Sequence, residues 1–367
     1  MSTIDSIGID FATLDEIHEA ALASLPDAVR DFLEGGAGDE HTMRSNRRAF
    51  DRWALRPRNM SGLSTPSTST TFMGVELALP VLTAPFGADR LFHPEGQVAV
   101  ARANERAGTA SIAPEAGSSS IEAIAAASPQ AAAFGQLHPM GPEDNFLRML
   151  DRFEQSGYRA LCVTCDCPTG GWRERNLHNR FSPPYEVIGG NYPEGGDVAL
   201  EQVFGQLFDN DQPVWSWDKL AGLIAHSPLP WMAKGILTPE DAVAAVSAGA
   251  SGLLVSNHGG RQLDGVMASL DALPAIRAAV GPDVDIALDS GVRRGTDVVK
   301  AIALGADVVV IGRLAVYGLA AGGEAGVSRV LELLRAEMVT VLTLLGRGGI
   351  DDLDASALVR MERGWDD

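Results

Sequence analysis

The sequence predicts an α/β fold: a (β/α)8 TIM barrel with an N-terminal helical segment and a long loop after the fourth strand. Three observations predict it. Between about residue 80 and residue 311, short apolar runs of strand length alternate with stretches of helical spacing, eight times in all. Several of these runs end in polar turns that carry Gly, His, Lys or Arg, where barrel enzymes keep their chemistry. No GxGxxG follows an early strand, which weighs against the alternative, a doubly wound open sheet binding a dinucleotide.

The elements follow in order. Residues 1–60 read as a helical cap and arm, and 61–367 as the barrel. Leu14 to Leu25 has apolar residues at helical spacing and stops at Pro26; Asp27 to Leu33 is a second short helix ended by Gly35-Gly36. Phe50 to Arg58 reads as a linking arm. The first strand is expected over Leu79 to Ala84, before a helix from Glu95 to Ala107. The next pairs are Thr109 to Ala113 with Ile121 to Ala127, and Ala131 to Gln136 with Asp144 to Gln155. Ala160 to Thr164 is the fourth strand. Roughly 65 residues separate it from the fifth, Pro230 to Lys234, which precedes a helix over Pro239 to Ala248. Strand Leu253 to Ser256, helix Leu270 to Val280, strand Val284 to Leu288, helix Gly295 to Leu304 and strand Val308 to Ile311 complete the set. Within the long connection, residues 182–213 hold Pro183-Pro184, Gly189-Gly190 and Gly195-Gly196 among several acids, and are expected to form a mobile lid or an oligomer contact.

Composition narrows the function. Lys and Arg total 29 against 48 Asp and Glu, a net charge of −19, so nucleic acid and anionic membranes are excluded as partners. No apolar run reaches the roughly 18 residues of a membrane span, and the N-terminus lacks a charged-then-apolar signal pattern, so a cytoplasmic protein is expected. The three cysteines, Cys162, Cys165 and Cys167, lie in a strand-like run; alternation sends Cys162 and Cys165 to opposite faces, so no metal site is expected and they read as small core residues.

Five stretches carry chemistry. Gly252 to Val255 is a buried-strand run that ends in Ser256-Asn257-His258-Gly259-Gly260-Arg261-Gln262-Leu263-Asp264. There His258 can move a proton near neutral pH, Arg261 can grip a carboxylate, and two glycines allow a close backbone approach. Asp289-Ser290-Gly291-Val292-Arg293, after the seventh strand, and Gly312-Arg313, after the eighth, offer glycine N–H groups and arginines to a phosphate. Lys234 closes the fifth strand behind an apolar approach. Thr164 and Asp166 share a face of the fourth strand.

The stretch Ser256 to Asp264 resembles the active-site motif of the FMN-dependent 2-hydroxy acid oxidases and dehydrogenases, and the resemblance runs from about Leu25 to about Arg347. It implies FMN as cofactor, with its phosphate at the two arginine-bearing turns and Asp289 on the ribityl chain. Lys234 then faces the flavin pyrimidine edge, and Gln136, Thr164 and Ser256 hydrogen-bond the ring. Pro85-Phe86-Gly87 lies along its reactive edge. Asp166 pairs with His258, raising its pKa and fixing its orientation, and His258 serves as base while flavin N5 accepts a hydride equivalent. Arg173 and Arg261 hold the substrate carboxylate. The N-terminal segment covers the barrel and supplies one active-site residue, and a homotetramer is implied.

The sequence departs from this pattern in places. Phe32 and His138 stand where two substrate-contacting tyrosines are expected; Phe32 has no hydroxyl, and His138 can still donate. Pro114 replaces a serine or threonine. Ala116 and Gly170 replace a tryptophan and a leucine, which empties the pocket mouth and predicts a 2-hydroxy acid bulkier than lactate, with an aryl group. Gly87 replaces an alanine and leaves more room above N5, so the electron acceptor stays open, with O2 first. Two other readings remain: an FMN oxidoreductase acting on an amine, a modified amino acid or an ester intermediate, and an FMN-barrel isomerase.

Overall fold

A computed structural model describes residues 9–128, 133–193, 196, 198–207 and 214–362 of the chain. Eight parallel strands close into a barrel: β1 (Val81–Thr83), β2 (Ser111–Ala113), β3 (Ala133–Leu137), β4 (Ala160–Thr164), β5 (Trp231–Ile236), β6 (Gly252–Val255), β7 (Asp285–Leu288) and β8 (Val308–Ile311). The ring closes where Val309 of β8 registers with Val81 of β1. Both faces of each strand are buried, which is why the strands read as continuous apolar runs rather than alternating ones. Leu161, Val163, Leu253, Val255, Ile286 and Leu288 point outward under the helices. Leu82, Ile112, Phe134, Cys162, Met232, Leu254 and Val310 fill the interior.

Three helices precede the barrel: α1 (Leu14–Ser24), α2 (Asp27–Glu34) and α3 (His41–Asp51). The crossovers are α4 (Gly96–Ala107), α5 (Ile121–Ala127), α6 (Glu143–Gln155), then α7 (Glu174–Asn179), α8 (Leu200–Phe204) and α9 (Trp217–Ile224) after β4. They continue with α10 (Pro239–Ser247), α11 (Ser269–Val280) and α12 (Gly295–Ala303). The last, α13 (Arg313–Leu345), bends at Gly322-Gly323 and packs against α1, α4 and α12. Among the described residues no helix is long and apolar enough to cross a membrane.

Several elements lie outside what the sequence predicts, α7 to α9 among them. A hairpin of Thr70–Phe72 and Val75–Leu77 turns at Met73-Gly74, both at positive φ, and drives Phe72, Val75 and Leu77 into the barrel interior as a floor. The expected linking arm contains a strand, Trp53–Leu55, which pairs with Leu358–Arg360 near the other end of the chain. Helix α3 has few apolar residues and is held by polar contacts: Asn46 and Asn257 exchange amide hydrogen bonds of 2.8 and 2.7 Å. The backbone N–H groups of His41 and Thr42 donate to the Asp264 carboxylate, which caps the helix.

Residues 194, 195, 197 and 208–213 of the expected lid lie outside the described residues, and residues 190–192 of it pack against the barrel. Asn191 accepts from the Ile121 N–H at 2.9 Å, Gly190 donates to the Gly117 carbonyl, and Tyr192 is 1% exposed. These bonds tie the segment to the rim near β2.

Candidate active site

The polar strand ends converge at the C-terminal mouth of the barrel. At the end of β6, His258 sits in the left-handed region at φ 58°, a strained conformation for a residue with a side chain. Two bonds hold it there: its N–H donates to Ser256 Oγ at 3.0 Å, and the next N–H, of Gly259, donates to Ser290 Oγ at 3.0 Å. Ser290 is itself left-handed, at φ 73°, and donates to Asp289 Oδ1 at 2.6 Å. The β6 and β7 turns are thus stapled together. Gly260, at φ 74°, admits no side chain, because a Cβ there would lie 2.7 Å from the Met43 nitrogen of α3.

His258 Nδ1 lies 3.2 and 3.3 Å from the two Asp166 oxygens, 3.0 Å from Lys234 Nζ and 3.5 Å from Cys167 Sγ. Lys234 Nζ also lies 3.5 Å from Asp166 Oδ1. This corrects the expectation of a raised histidine pKa. Burial, and then the Lys234 ammonium, outweigh Asp166 and push His258 down to about 4. Despite its own burial, Asp166 is held well below the usual carboxylate range by Lys234 and His258. Burial works against the Lys234 charge, but Asp166 and then Asp289 raise it. The Lys234 ammonium can only donate and the Asp166 carboxylate can only accept; with the Nδ1 proton turned to Asp166, Lys234 meets the ring as a charge and not as a hydrogen-bond donor, and Nε2 keeps a lone pair that nothing bonds among the described residues. Asp166, Cys167 and His258 are close enough to share a metal ion, yet Lys234 already places a positive charge on Nδ1. Burial pushes the Cys167 thiol up to about 12, so it is inert as a nucleophile.

Four arginines surround this centre. Arg261 Nη1 donates to the carbonyls of Phe32 (2.7 Å) and Gly35 (3.0 Å), with its guanidinium 5.1 Å from the centre of the Phe32 ring. Arg313 donates at 2.9 Å to each of the Leu33, Gly35 and Gly259 carbonyls. All but the Gly259 carbonyl gather at the C-terminal end of α2, where helix carbonyls lack partners and the helix dipole is negative. Arg173 donates to the Arg261 carbonyl and to Gln262 Oε1, both at 3.1 Å. Arg293 lies over the Tyr317 ring, 5.1 Å from its centre, and donates to its hydroxyl. None of the four forms a salt bridge with a carboxylate among the described residues. Burial, and then Arg173, hold Arg261 well below the usual guanidinium range; burial, and then Arg293, bring Arg313 down to about 10.

The remaining predicted residues are placed as follows. Gln136 Nε2 donates to Thr164 Oγ1 at 2.8 Å, at the ends of β3 and β4. Val292 is buried, and Gly291 is at φ 97° under the Asn46 carbonyl. Gly312 opens α13. The Phe86 carbonyl accepts from Gln97, and Pro85 stands half-buried beside it. Phe32 makes an aromatic wall with Phe92 and Phe181 rather than a polar contact.

Three expectations need correction. His138 is not a free donor: Nδ1 is 2.9 Å from Glu115 Oε2, and Nε2 is 3.1 Å from Gln136 Nε2. Gly87 does not open space, since a Cβ there would lie 2.5 Å from the Ala116 carbonyl oxygen. The room expected at Gly170 is filled by backbone, with the Leu207 carbonyl oxygen 2.7 Å from a Cβ at that position. Sequence reasoning missed Glu115, Tyr192 and Gln262. Glu115 left one signal, a lone acid directly after the apolar run of β2.

Comparison with known proteins gives one consistent result. The family described as FMN-dependent dehydrogenase matches residues 21–360. An L-lactate oxidase of Nostoc sp. is 41% identical, covering 94% of this chain and 97% of that protein. The 2-hydroxyacid oxidase 1 of Homo sapiens is 37% identical, covering 95% of this chain and 96% of its own length. Among solved structures, a mandelate oxidase with (S)-2-phenylpropionate superposes with a TM-score of 0.86 at 37% identity, covering 95% of this chain and 98% of that one.

Proposed function

The chain belongs to the FMN-dependent dehydrogenase family and is an FMN-dependent oxidoreductase of 2-hydroxy acids; on that premise we propose an aryl-bearing substrate bulkier than lactate, with O2 as the reoxidant. The product is the 2-oxo acid. FMN, when bound, supplies the hydride acceptor. The residues present suit it. Lys234, Gln136, Thr164, Ser256 and Asp289 offer polar groups at successive strand ends, and Arg293 and Arg313 offer positive charge beside the first turns of α12 and α13. In a chain of net charge −19, four guanidiniums without a carboxylate partner among the described residues mark a site built for anions.

Arg173 and Arg261 bind the substrate carboxylate. His258 takes the substrate proton at Nε2, and Asp166 holds the ring through Nδ1 and balances the imidazolium against Lys234. One observation carries this reading: His258 is held at Nδ1 by Asp166 and Lys234 with Nε2 unbonded among the described residues, and burial and Lys234 lower its pKa to about 4, which favours the neutral ring. Ala116 supports bulk at the substrate, as do the mandelate oxidase relatives, solved with (S)-mandelic acid and benzoyl-formic acid. The reading includes a cytoplasmic homotetramer; three free thiols suit a reducing compartment, and the tetramer follows the family resemblance. An anaerobic screen of flavin bleaching tests the substrate: mandelate-like acids should bleach the flavin fastest, and activity confined to glycolate and lactate overturns the aryl assignment. Reoxidation in air that takes minutes overturns O2.

A further inference from the structure

Behind the strand ends of β2, β3 and β4 lies a second, wholly buried chain of hydrogen bonds whose polarity one backbone group decides. The Glu115 N–H donates to Gln136 Oε1 at 3.3 Å. A backbone N–H can only donate, so the oxygen of the Gln136 amide must face it. The amide nitrogen therefore faces Thr164 Oγ1, at 2.8 Å, and His138 Nε2, at 3.1 Å. It too can only donate, so His138 Nε2 must accept, and the ring proton of the neutral imidazole resides on Nδ1. Nδ1–H then donates to Glu115 Oε2 at 2.9 Å. The same oxygen accepts the His138 backbone N–H at 2.8 Å, and Glu115 Oε1 accepts the Tyr192 hydroxyl at 2.6 Å. Glu115 is 1% exposed and His138 8%, and the Phe204 ring packs in T-shaped contact with both His138 and Tyr192.

We propose that Glu115 and His138 are positioning residues: their side chains hold the nitrogen end of the Gln136 amide as the Glu115 N–H holds its oxygen end, and so fix which way it faces. The carboxylate selects the Nδ1–H tautomer, the bare Nε2 anchors the amide nitrogen, and Gln136 presents a fixed edge to the barrel mouth. Without this anchor only the long 3.3 Å bond from the Glu115 N–H and the rotatable Thr164 hydroxyl hold the amide, which can then turn over and exchange a donor for an acceptor, a change of sign in a low-dielectric site. The consequence for turnover rests on the reading that Gln136 and Thr164 face the flavin. It also separates His138 from the substrate, because neither ring nitrogen is left to bind it.

Two measurements on the full chain test this. With 15N-histidine labelling, the His138 signals are identified by their loss in His138→Phe. The expected spectrum at neutral pH has Nδ1 protonated and Nε2 bare, and Glu115→Ala should convert it to a mixture of tautomers. A doubly protonated or Nε2–H ring in the unsubstituted protein overturns the proposal, as does a tautomer unchanged in Glu115→Ala. This readout needs neither flavin nor turnover. A protein that keeps the tautomer but fails to take up FMN therefore overturns the functional reading alone, and a Glu115→Ala chain that fails to fold still leaves the unsubstituted spectrum to decide. In the loaded enzyme, Glu115→Ala should lower kcat about tenfold, shift the flavin absorption maximum and leave KM within about threefold. A raised KM with unchanged kcat would make His138 a substrate contact and overturn the proposal.

Discussion

Replacing Asp166 by asparagine removes one charge and little volume, and its cost can be worked from the distances around His258. When His258 takes a proton it becomes an imidazolium 3.2 Å from an Asp166 oxygen and 3.0 Å from Lys234 Nζ. At an effective dielectric of about 20, each of these interactions is worth about 5 kcal/mol, and in the unsubstituted protein they nearly cancel. Asp166→Asn leaves only the repulsion. Lys234 stays charged, because Asp289 remains as a second anionic neighbour. Spreading of the imidazolium charge over the ring, and the quarter of the His258 side chain that is exposed, bring the expected loss to about 3–4 kcal/mol. That is roughly 200- to 900-fold in the rate of flavin reduction. An amide that donates to Nδ1 also moves the ring proton to Nε2 and blocks the base. Substrate affinity should hardly move, since Arg173 and Arg261 take their hydrogen-bond partners elsewhere. The assay is anaerobic stopped-flow reduction with a saturating 2-hydroxy acid. A loss below tenfold, or a loss confined to the apparent substrate Kd, would refute the view that Asp166 offsets Lys234.

Other perturbations test other parts of the site. With the folded pKa of His258 lowered to about 4, the base form dominates above that pH, so kcat/KM for flavin reduction should be level from about pH 5 to 8 and fall tenfold per unit below about 4; a midpoint near 6.5 would contradict the lowering by burial and Lys234. Arg261→Lys keeps the charge but loses the fork held by the Phe32 and Gly35 carbonyls, and should raise KM by about 10- to 100-fold, measured by steady-state kinetics. Gly87→Ala must move the Ala116 carbonyl, now 2.5 Å from the new Cβ, and should destabilise the fold by about 1–3 kcal/mol in denaturant unfolding. Asp264→Ala strips the acceptor from two N–H groups at the start of α3 and should cost about 1 kcal/mol by the same measurement, with little change in absorbance of the bound flavin.

Much of the barrel could be read directly from the sequence. Ala160–Thr164 and Val308–Ile311 fall at their expected bounds, because strands buried on both faces leave short, dense apolar runs between turns. Polar docking left no such trace. Helix α3, His-Thr-Met-Arg-Ser-Asn-Arg-Arg-Ala-Phe-Asp, has no apolar stripe, and what seats it is Asn46 against Asn257 and the Asp264 cap. The glycines misled for a related reason: a missing side chain reads as empty space, whereas Gly87 and Gly170 are sites where another backbone carbonyl already fills that space. Glu115 was passed over because an isolated acid after an apolar run looks like a solvated turn, and its partners come from β3 and from a segment about 77 residues away.

The histidine pKa shows where the limit lies. The family resemblance pairs Asp166 with His258, and that pair in isolation argues for a raised value. Burial, and then Lys234, reverse the sign, and Lys234 takes part because Thr164 of β4 and Lys234 of β5 are register partners. That register puts the ammonium within 3.5 Å of Asp166, and the β6 turn brings His258 Nδ1 onto both. Strand order and register are thus what convert three separately legible residues into a base that stays neutral across the physiological range. The two turns that hold His258 and Ser290 in left-handed backbone keep that geometry against about 1–3 kcal/mol of strain at each residue. The strained conformation is sustained by Ser256, Ser290 and Asp289, three residues the resemblance assigns to the cofactor. In this chain they therefore do two things at once, presenting polar atoms to the barrel mouth and fixing the backbone of the residue proposed as the base.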